Sequence, residues 1–216
     1  MSKNFLLTIL FCSVILLTSC FRETVSEVVE TAENNWWPHS DGYSWTYNTA
    51  MQIISTDSTY EVNSVSSETW TLQGTTTINN IELQILLKTD GPDDYLLFSG
   101  SGVAWYGNSL SVADSPTANL LYPLSEGKKW NVGLSNDITV EVMGIETVQV
   151  PAGGFEACLV SIDFGDGAYN HNYYALDVGL VKTVEYFSDI VMTSSDGLSL
   201  THATYISTKE LASKNF

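Results

Sequence analysis

From Tyr43 onward the chain returns repeatedly to a period of two, and that period confines it to strands. Ile81, Leu83, Ile85 and Leu87 alternate with Glu82, Gln84 and Lys88, with Leu86 alone out of step. Successive side chains of a strand point to opposite faces, so such a segment buries one face and wets the other. Ile138, Val140 and Val142 alternate with Thr139 and Glu141, and Cys158, Val160, Ile162 and Phe164 define another inward face. Residues 201–208 read as a further strand. Turn signals separate these runs about every 8 to 12 residues, the spacing of an all-β domain. Asn79-Asn80 suits a tight hairpin, because Asn tolerates positive φ. Gly91-Pro92-Asp93-Asp94, Gly165-Asp166-Gly167 and Ser195-Asp196-Gly197 read as hairpin loops, and no segment between 43 and 216 carries a helical period. The expected class is all-β: an antiparallel curved sheet, as a sandwich or a partly open barrel.

One nine-residue pattern occurs twice. Trp37-Pro38-His39-Ser40-Asp41-Gly42-Tyr43-Ser44-Trp45 matches Tyr122-Pro123-Leu124-Ser125-Glu126-Gly127-Lys128-Lys129-Trp130, with an aromatic before Pro, an acid before Gly and Trp three places after Gly. Pro fixes an extended entry, Gly permits a turn, and Trp opens a strand by covering the edge of a core. Similar marks follow each copy: Gly74 and Gly144, Asp90-Gly91 and Asp166-Gly167, Tyr95 and Tyr173, Gly102 and Gly179. Either two strands start alike or one β-meander has been duplicated. Duplication predicts halves at about 36–114 and 122–209 within a single β-domain of residues 36–216, with a boundary near 115–121.

The first twenty residues carry an address. Lys3 precedes an apolar run from Phe5 to Leu17 that is too short to cross a bilayer, for which about 20 apolar residues are needed. The run ends in Leu17-Thr18-Ser19-Cys20, which resembles the lipobox of bacterial lipoproteins. That resemblance implies a signal peptide over 1–19, cleavage before Cys20, and diacylglycerol plus a further acyl chain such as palmitate on the new N-terminus. Two or more chains anchor stably. Phe21 stands where the family's inner-membrane retention signal would place Asp, so the expected home is the outer membrane, or the cell membrane of a host with only one. Residues 20–35 then form a lipidated tether, in which Val25, Val28, Val29 and Ala32 have the spacing of one short amphipathic helix.

A formal charge of −17 repels phosphates and anionic headgroups, which excludes nucleic acid as a partner and leaves the Cys20 lipid as the membrane contact. With 44% hydrophobic residues and scattered acids, the body is folded. Its length supports a core without disulfides. Cys12 leaves with the signal and Cys20 is consumed by lipid. Cys158, within Ala157-Cys158-Leu159-Val160, reads as a small buried hydrophobe rather than a reactive thiol.

Three segments together resemble an uncharacterised domain family of secreted bacterial proteins rich in lipoproteins. They are Tyr122-Pro-Leu-Ser-Glu-Gly-Lys-Lys-Trp130, Val150-Pro-Ala-Gly-Gly-Phe155, and Tyr173-Tyr-Ala-Leu-Asp-Val-Gly-Leu-Val-Lys182. The resemblance spans most of 36–188 and implies an extracytoplasmic curved-sheet body, with no catalytic residues to carry over. Asp177 departs from it, standing where that family has Gly or Asn. Read from the residues alone, Pro151-Ala152-Gly153-Gly154 is a four-residue hairpin, and Gly179 permits a tight strand entry or a bulge.

Little here reads as catalysis. His39, His171 and His202 stand singly, and no nucleophile elbow, phosphate loop or dinucleotide fingerprint occurs. Asp163, Asp166, Asn170 and Asn172 lack calcium-loop spacing and read as an acidic hairpin. The expectation is a non-enzymatic module without cofactor or metal that binds or assembles with an envelope protein. The alternative is a half-barrel carrier whose concave face holds a lipid or other apolar ligand. Trp45, Trp70, Trp105 and Trp130 are the candidate lining of such a face, for an apolar or glycan ligand, although a filled aromatic core is the preferred reading.

Overall fold

The computed structural model describes residues 35–55, 60–107, 116, 118–132, 138–193 and 199–216. The expected signal peptide, Cys20, the expected tether up to residue 34 and the turn expected at Ser195-Asp196-Gly197 lie outside these residues. The described chain forms twelve strands and, among the described residues, no helix. The first six are β1 (Ser44–Ser55), β2 (Glu61–Ile78), β3 (Ile81–Lys88), β4 (Asp94–Ser99), β5 (Gly102–Trp105) and β6 (Ala118–Leu121). The second six are β7 (Lys129–Val132), β8 (Ile138–Val150), β9 (Gly153–Gly165), β10 (Ala168–Ala175), β11 (Gly179–Thr193) and β12 (Ser199–Lys214).

All twelve lie in one antiparallel, nearly closed barrel-like sheet of order β6-β5-β4-β3-β2-β1-β12-β11-β10-β9-β8-β7. Strands adjacent in sequence pair throughout except β6 with β7, and β1 pairs with β12 from Trp45↔Lys214 to Ser55↔Ala203. The two sheet edges, β6 and β7, are joined by residues 122–128 alone. Lys128 pins that link: its Nζ donates to the carbonyls of Leu121, Tyr122 and Pro123 at 2.9, 2.8 and 3.2 Å.

The turns follow local chemistry. Asn79 and Asn80 take φ of 50° and 64° between the paired Ile78 and Ile81, and Asp166 takes 52° ahead of Gly167, as primed two-residue turns require. Asp177 adopts φ 59°, a value Gly or Asn reaches more readily, and it is held there. Its amide donates to the Asn35 carbonyl at 2.9 Å, and its Oδ1 accepts from Asn35 Nδ2 at 2.6 Å. The β8–β9 turn corrects the four-residue expectation. Val150 pairs with Gly153, so only Pro151 and Ala152 lie outside the ladder, and both glycines belong to β9.

The two copies of the nine-residue pattern make the same contacts. Gly42 N donates to Leu72 O and Leu72 N to Tyr43 O, at 2.8 and 2.9 Å; Gly127 N donates to Val142 O and Val142 N to Lys128 O at the same distances. Tyr43 N reaches Ser40 O, as Lys128 N reaches Ser125 O. Gly74 and Gly144 follow at register shifts in β2 and β8.

The core occupies one end of the barrel. Trp37, Trp45, Tyr47, Leu72, Leu86 and Leu96 are fully buried, together with Val142, Val181 and Leu211. Leu86, the residue out of step with its strand pattern, is buried because it pairs with inward Leu72, while Leu83 is buried at the opposite parity. Phe164, expected inside, is 40% exposed. The β9–β10 register shifts between Ala168 and Tyr169, and Phe164 packs at 5.3 Å on Phe187.

Candidate functional site

Partners in antiparallel strands share a face, so the register traces what lines the barrel. At the core end Trp45 pairs with Trp70, and Tyr47 lies beside Leu211. Moving away from that end, the inward positions turn polar. Ser66 pairs with Thr49, Thr49 with Lys209, Lys209 with Thr183, and Thr183 with Asn172. The next level runs from Ser207 to Glu185 and on to Asn170. Only β8 and β9 continue the wall with apolar residues: Asn172 meets Val160, Asn170 meets Ile162, and these meet Val142 and Val140. A second apolar cluster, built on Ile53, Leu200 and Ala203, lies towards the far ends of the long strands β1, β2, β11 and β12.

Between the two clusters lies a cavity of about 500 Å³, within the range of small-molecule sites, roughly 300–1,000 Å³. Its floor is aromatic. Trp37, carried in by the segment before β1, is 1% exposed and meets Trp105 edge-on at 4.9 Å, Tyr174 at 5.9 Å, Trp45 at 6.1 Å and Trp70 in a parallel stack at 6.5 Å. The walls are organised by hydrogen bonds. Lys209 forms an ion pair with Glu68 and lies 4.5 Å over the Trp70 ring. Glu185 accepts from Asn170 Nδ2 at 3.0 Å and from the Tyr205 hydroxyl at 3.4 Å; Thr183 donates to Asn172 Oδ1 at 2.9 Å. Ser66 and Asp90 are the exposed members of the lining.

Four polar atoms of lining residues are covered yet have no hydrogen-bond partner: Trp37 Nε1, Trp70 Nε1, Asn119 Oδ1 and Asn170 Oδ1. Each such atom costs about 1–3 kcal/mol. Covered polar groups in proteins nearly always have a partner, whether a protein group or ordered water.

The structure divides the four sequence candidates. Trp70 and Trp105 line the cavity. Trp45 does not: it is completely buried in the floor, where its Nε1 donates to Val178 O at 2.6 Å. Trp130 packs half-buried against the core from β7 and is also absent from the lining. The preferred filled core therefore holds for one end of the barrel only. Sequence reasoning overlooked Trp37, whose signal was the first copy of the repeated pattern, and the entire polar belt.

The remaining candidates are dispersed. Cys158 is completely buried, and burial pushes its thiol up to about 11. Asn170 and Asn172 face the cavity, whereas Asp163 accepts the Gly165 amide at 2.8 Å and Asp166 sits in its turn. His171 stacks on Tyr169, and desolvation lowers its pKa against an opposing pull from Glu146. Among the described residues no group of three or more His, Cys, Asp or Glu is placed to hold a metal ion.

No protein-family model matches the chain, and no curated protein is similar to it. Solved structures share its outline at low identity. One is a candidate lipoprotein from Parabacteroides distasonis, 12% identical, covering 84% of this chain and 99% of its own, with a TM-score of 0.40. Another is a candidate exported protein with a YmcC-like fold from Bacteroides fragilis, 13% identical, covering 83% and 98%, with a TM-score of 0.40. The MucA/MucB complex of Pseudomonas aeruginosa follows at 13% identity, over 86% of this chain and 54% of that one, with a TM-score of 0.32.

Proposed function

We propose that this chain is a lipid-anchored, extracytoplasmic binding module without enzymatic activity, which takes a small ligand into its barrel. The observation that carries the reading is the cavity of about 500 Å³, closed below by indoles, walled by a polar belt, and bordered by covered polar atoms without partners. A non-enzymatic role is supported by the state of the cavity carboxylates. Glu68 faces Lys209, Glu185 is held by Asn170 and Tyr205, and no histidine or cysteine among the described residues lines the space. The Leu17-Thr18-Ser19-Cys20 segment supports a lipid on Cys20 and an envelope location, on the outer membrane where the host has one. An apolar cargo fits less well, because Thr49, Asn172, Thr183, Glu185 and Ser207 share the wall with the apolar residues of β8 and β9.

Native mass spectrometry of the full chain, extracted from its own membranes in mild detergent, tests this. The expected spectrum carries a non-covalent small molecule beyond the covalent anchor, lost when Ser66→Trp crowds the exposed rim. A retained lipid in place of a polar molecule, or an empty cavity in every preparation, overturns the reading. The anchor is checked separately: the N-terminal peptide of the mature chain carries acyl groups on Cys20, and Cys20→Ser leaves the chain uncleaved or soluble.

A further inference from the structure

We infer that the ligand is an uncharged carbohydrate, lying with one ring face on the indoles and its hydroxyls in the polar belt; this rests on the cavity reading above and names the chemistry of its guest. Three properties of the lining converge on it. The first is the aromatic surface of Trp105 beside Trp37, next to the Trp70 ring that Lys209 covers. The face of an indole is electron-rich, and the C–H hydrogens on one side of a sugar ring carry the complementary partial charge.

The second is hydrogen bonding in both directions over a short distance. Thr49, Ser66, Asn172, Thr183 and Ser207 bring hydroxyl and amide groups to the lining, beside covered donors of Trp37 and Trp70 and covered acceptors of Asn119 and Asn170 that have no partner. An amphipathic lipid with one polar head satisfies one such group. A compact ring bearing hydroxyls, each both donor and acceptor, satisfies several at once.

The third is charge. Glu68, Asp90 and Glu185 stand against a single ammonium, Lys209, which is already paired with Glu68. Phosphate and carboxylate ligands meet net repulsion there, which removes nucleotides, phospholipids, fatty acids and acidic sugars. A cationic ligand is opposed as well, since Lys209 already occupies the cation position over Trp70 at 4.5 Å. What remains is neutral, polyhydroxylated and flat on one side.

The test uses the full chain in a detergent without a sugar head. Maltotriose, cellotriose and N,N′-diacetylchitobiose are titrated against tryptophan emission, followed by an array of neutral glycans, with palmitate, glucuronate and spermidine as the contrasting classes. At least one neutral glycan is expected to shift the emission saturably. Its affinity should fall about tenfold or more in Asn170→Ala, the loss of one good polar contact, and binding should vanish in Ser66→Trp. Should Asn170→Ala fail to fold, the exposed Ser66 variant alone carries the comparison. Ser66→Trp-sensitive binding of palmitate, glucuronate or spermidine in place of every neutral glycan overturns the carbohydrate assignment while leaving the cavity in use. An array without a single Ser66→Trp-sensitive glycan overturns it too, and the native mass spectrum then decides the cavity reading on its own.

Discussion

The Lys209 ammonium sits 4.5 Å over the ring of Trp70 while pairing with Glu68, two residues earlier on the same strand. One cation thus joins the indole floor to the polar wall. Both side chains of the ion pair are largely covered, at 23% and 14% exposure, so removing one leaves a charge in a poorly hydrated place. Lys209→Met is expected to cost about 1–3 kcal/mol. The double variant Lys209→Met/Glu68→Gln should recover much of that loss, because no charge is then left alone. Urea unfolding of the parent, Lys209→Met, Glu68→Gln and the double variant, arranged as a cycle, checks both statements.

Trp37 is the hub of the floor, in contact with four other aromatic rings although it precedes the first strand. Trp37→Ala should destabilise the barrel by about 3–5 kcal/mol, the cost of deleting a large core side chain. Trp45→Phe, which forfeits the hydrogen bond to Val178 O and part of a ring, should cost clearly less. Thermal melts that rank the two in the opposite order would contradict the placement of Trp37.

The approach of β5 to β6 depends on a missing side chain. A Cβ on Gly102, where φ is +141°, would lie 2.0 Å from the Leu120 carbonyl oxygen. Gly102→Ala is expected to cost about 2–3 kcal/mol and to loosen β6. Gly127, at φ +80° with open space around it, bears only the backbone penalty. Gly127→Ala should therefore cost about 1 kcal/mol, and comparing the two denaturation midpoints separates steric clash from backbone strain.

Cys158 predicts an alkaline signature. Its thiol is raised to about 11 from an ordinary value of 9.0, so the folded chain keeps a proton that the unfolded chain releases. That contribution to stability is complete below pH 9 and is lost as the pH rises towards 11. Cys158→Val should flatten the onset of this loss. Burial also raises Tyr47 and Tyr174, so alkaline unfolding continues in the variant above pH 10. Below pH 9 a thiol reagent should label Cys158 only after denaturation, as peptide mapping would record.

Strand identity was legible wherever one face was apolar, as along Val140 and Val142, and turns were legible wherever a residue had to take positive φ, as at Asn79-Asn80. The cavity was not. A sequence is read on the premise that polar alternation faces water. Along β2, however, Ser66 and Glu68 turn towards the barrel interior while Val65 on the other face is 82% exposed. Nothing local distinguishes an inward Thr or Asn from an outward one; closure of the sheet decides, and it depends on the distant pairing of β1 with β12. Leu86 was misread for a related reason: its direction is set by the register shift between Leu72 and Thr75 on the neighbouring strand.

At the indole end of the barrel, Ser44 N donates to Asn215 Oδ1 at 2.8 Å, Asn215 N donates to Ser44 O at 3.2 Å, and Phe216 stacks on Tyr43 at 4.4 Å. The described polypeptide thus enters and finishes side by side, across the aromatic floor from the cavity. A reporter or affinity tag joined through a linker after Phe216 is attached at the sealed end. A tag placed there is set apart from the cavity by the aromatic floor, so it leaves the lining unobstructed in a surface-based binding assay.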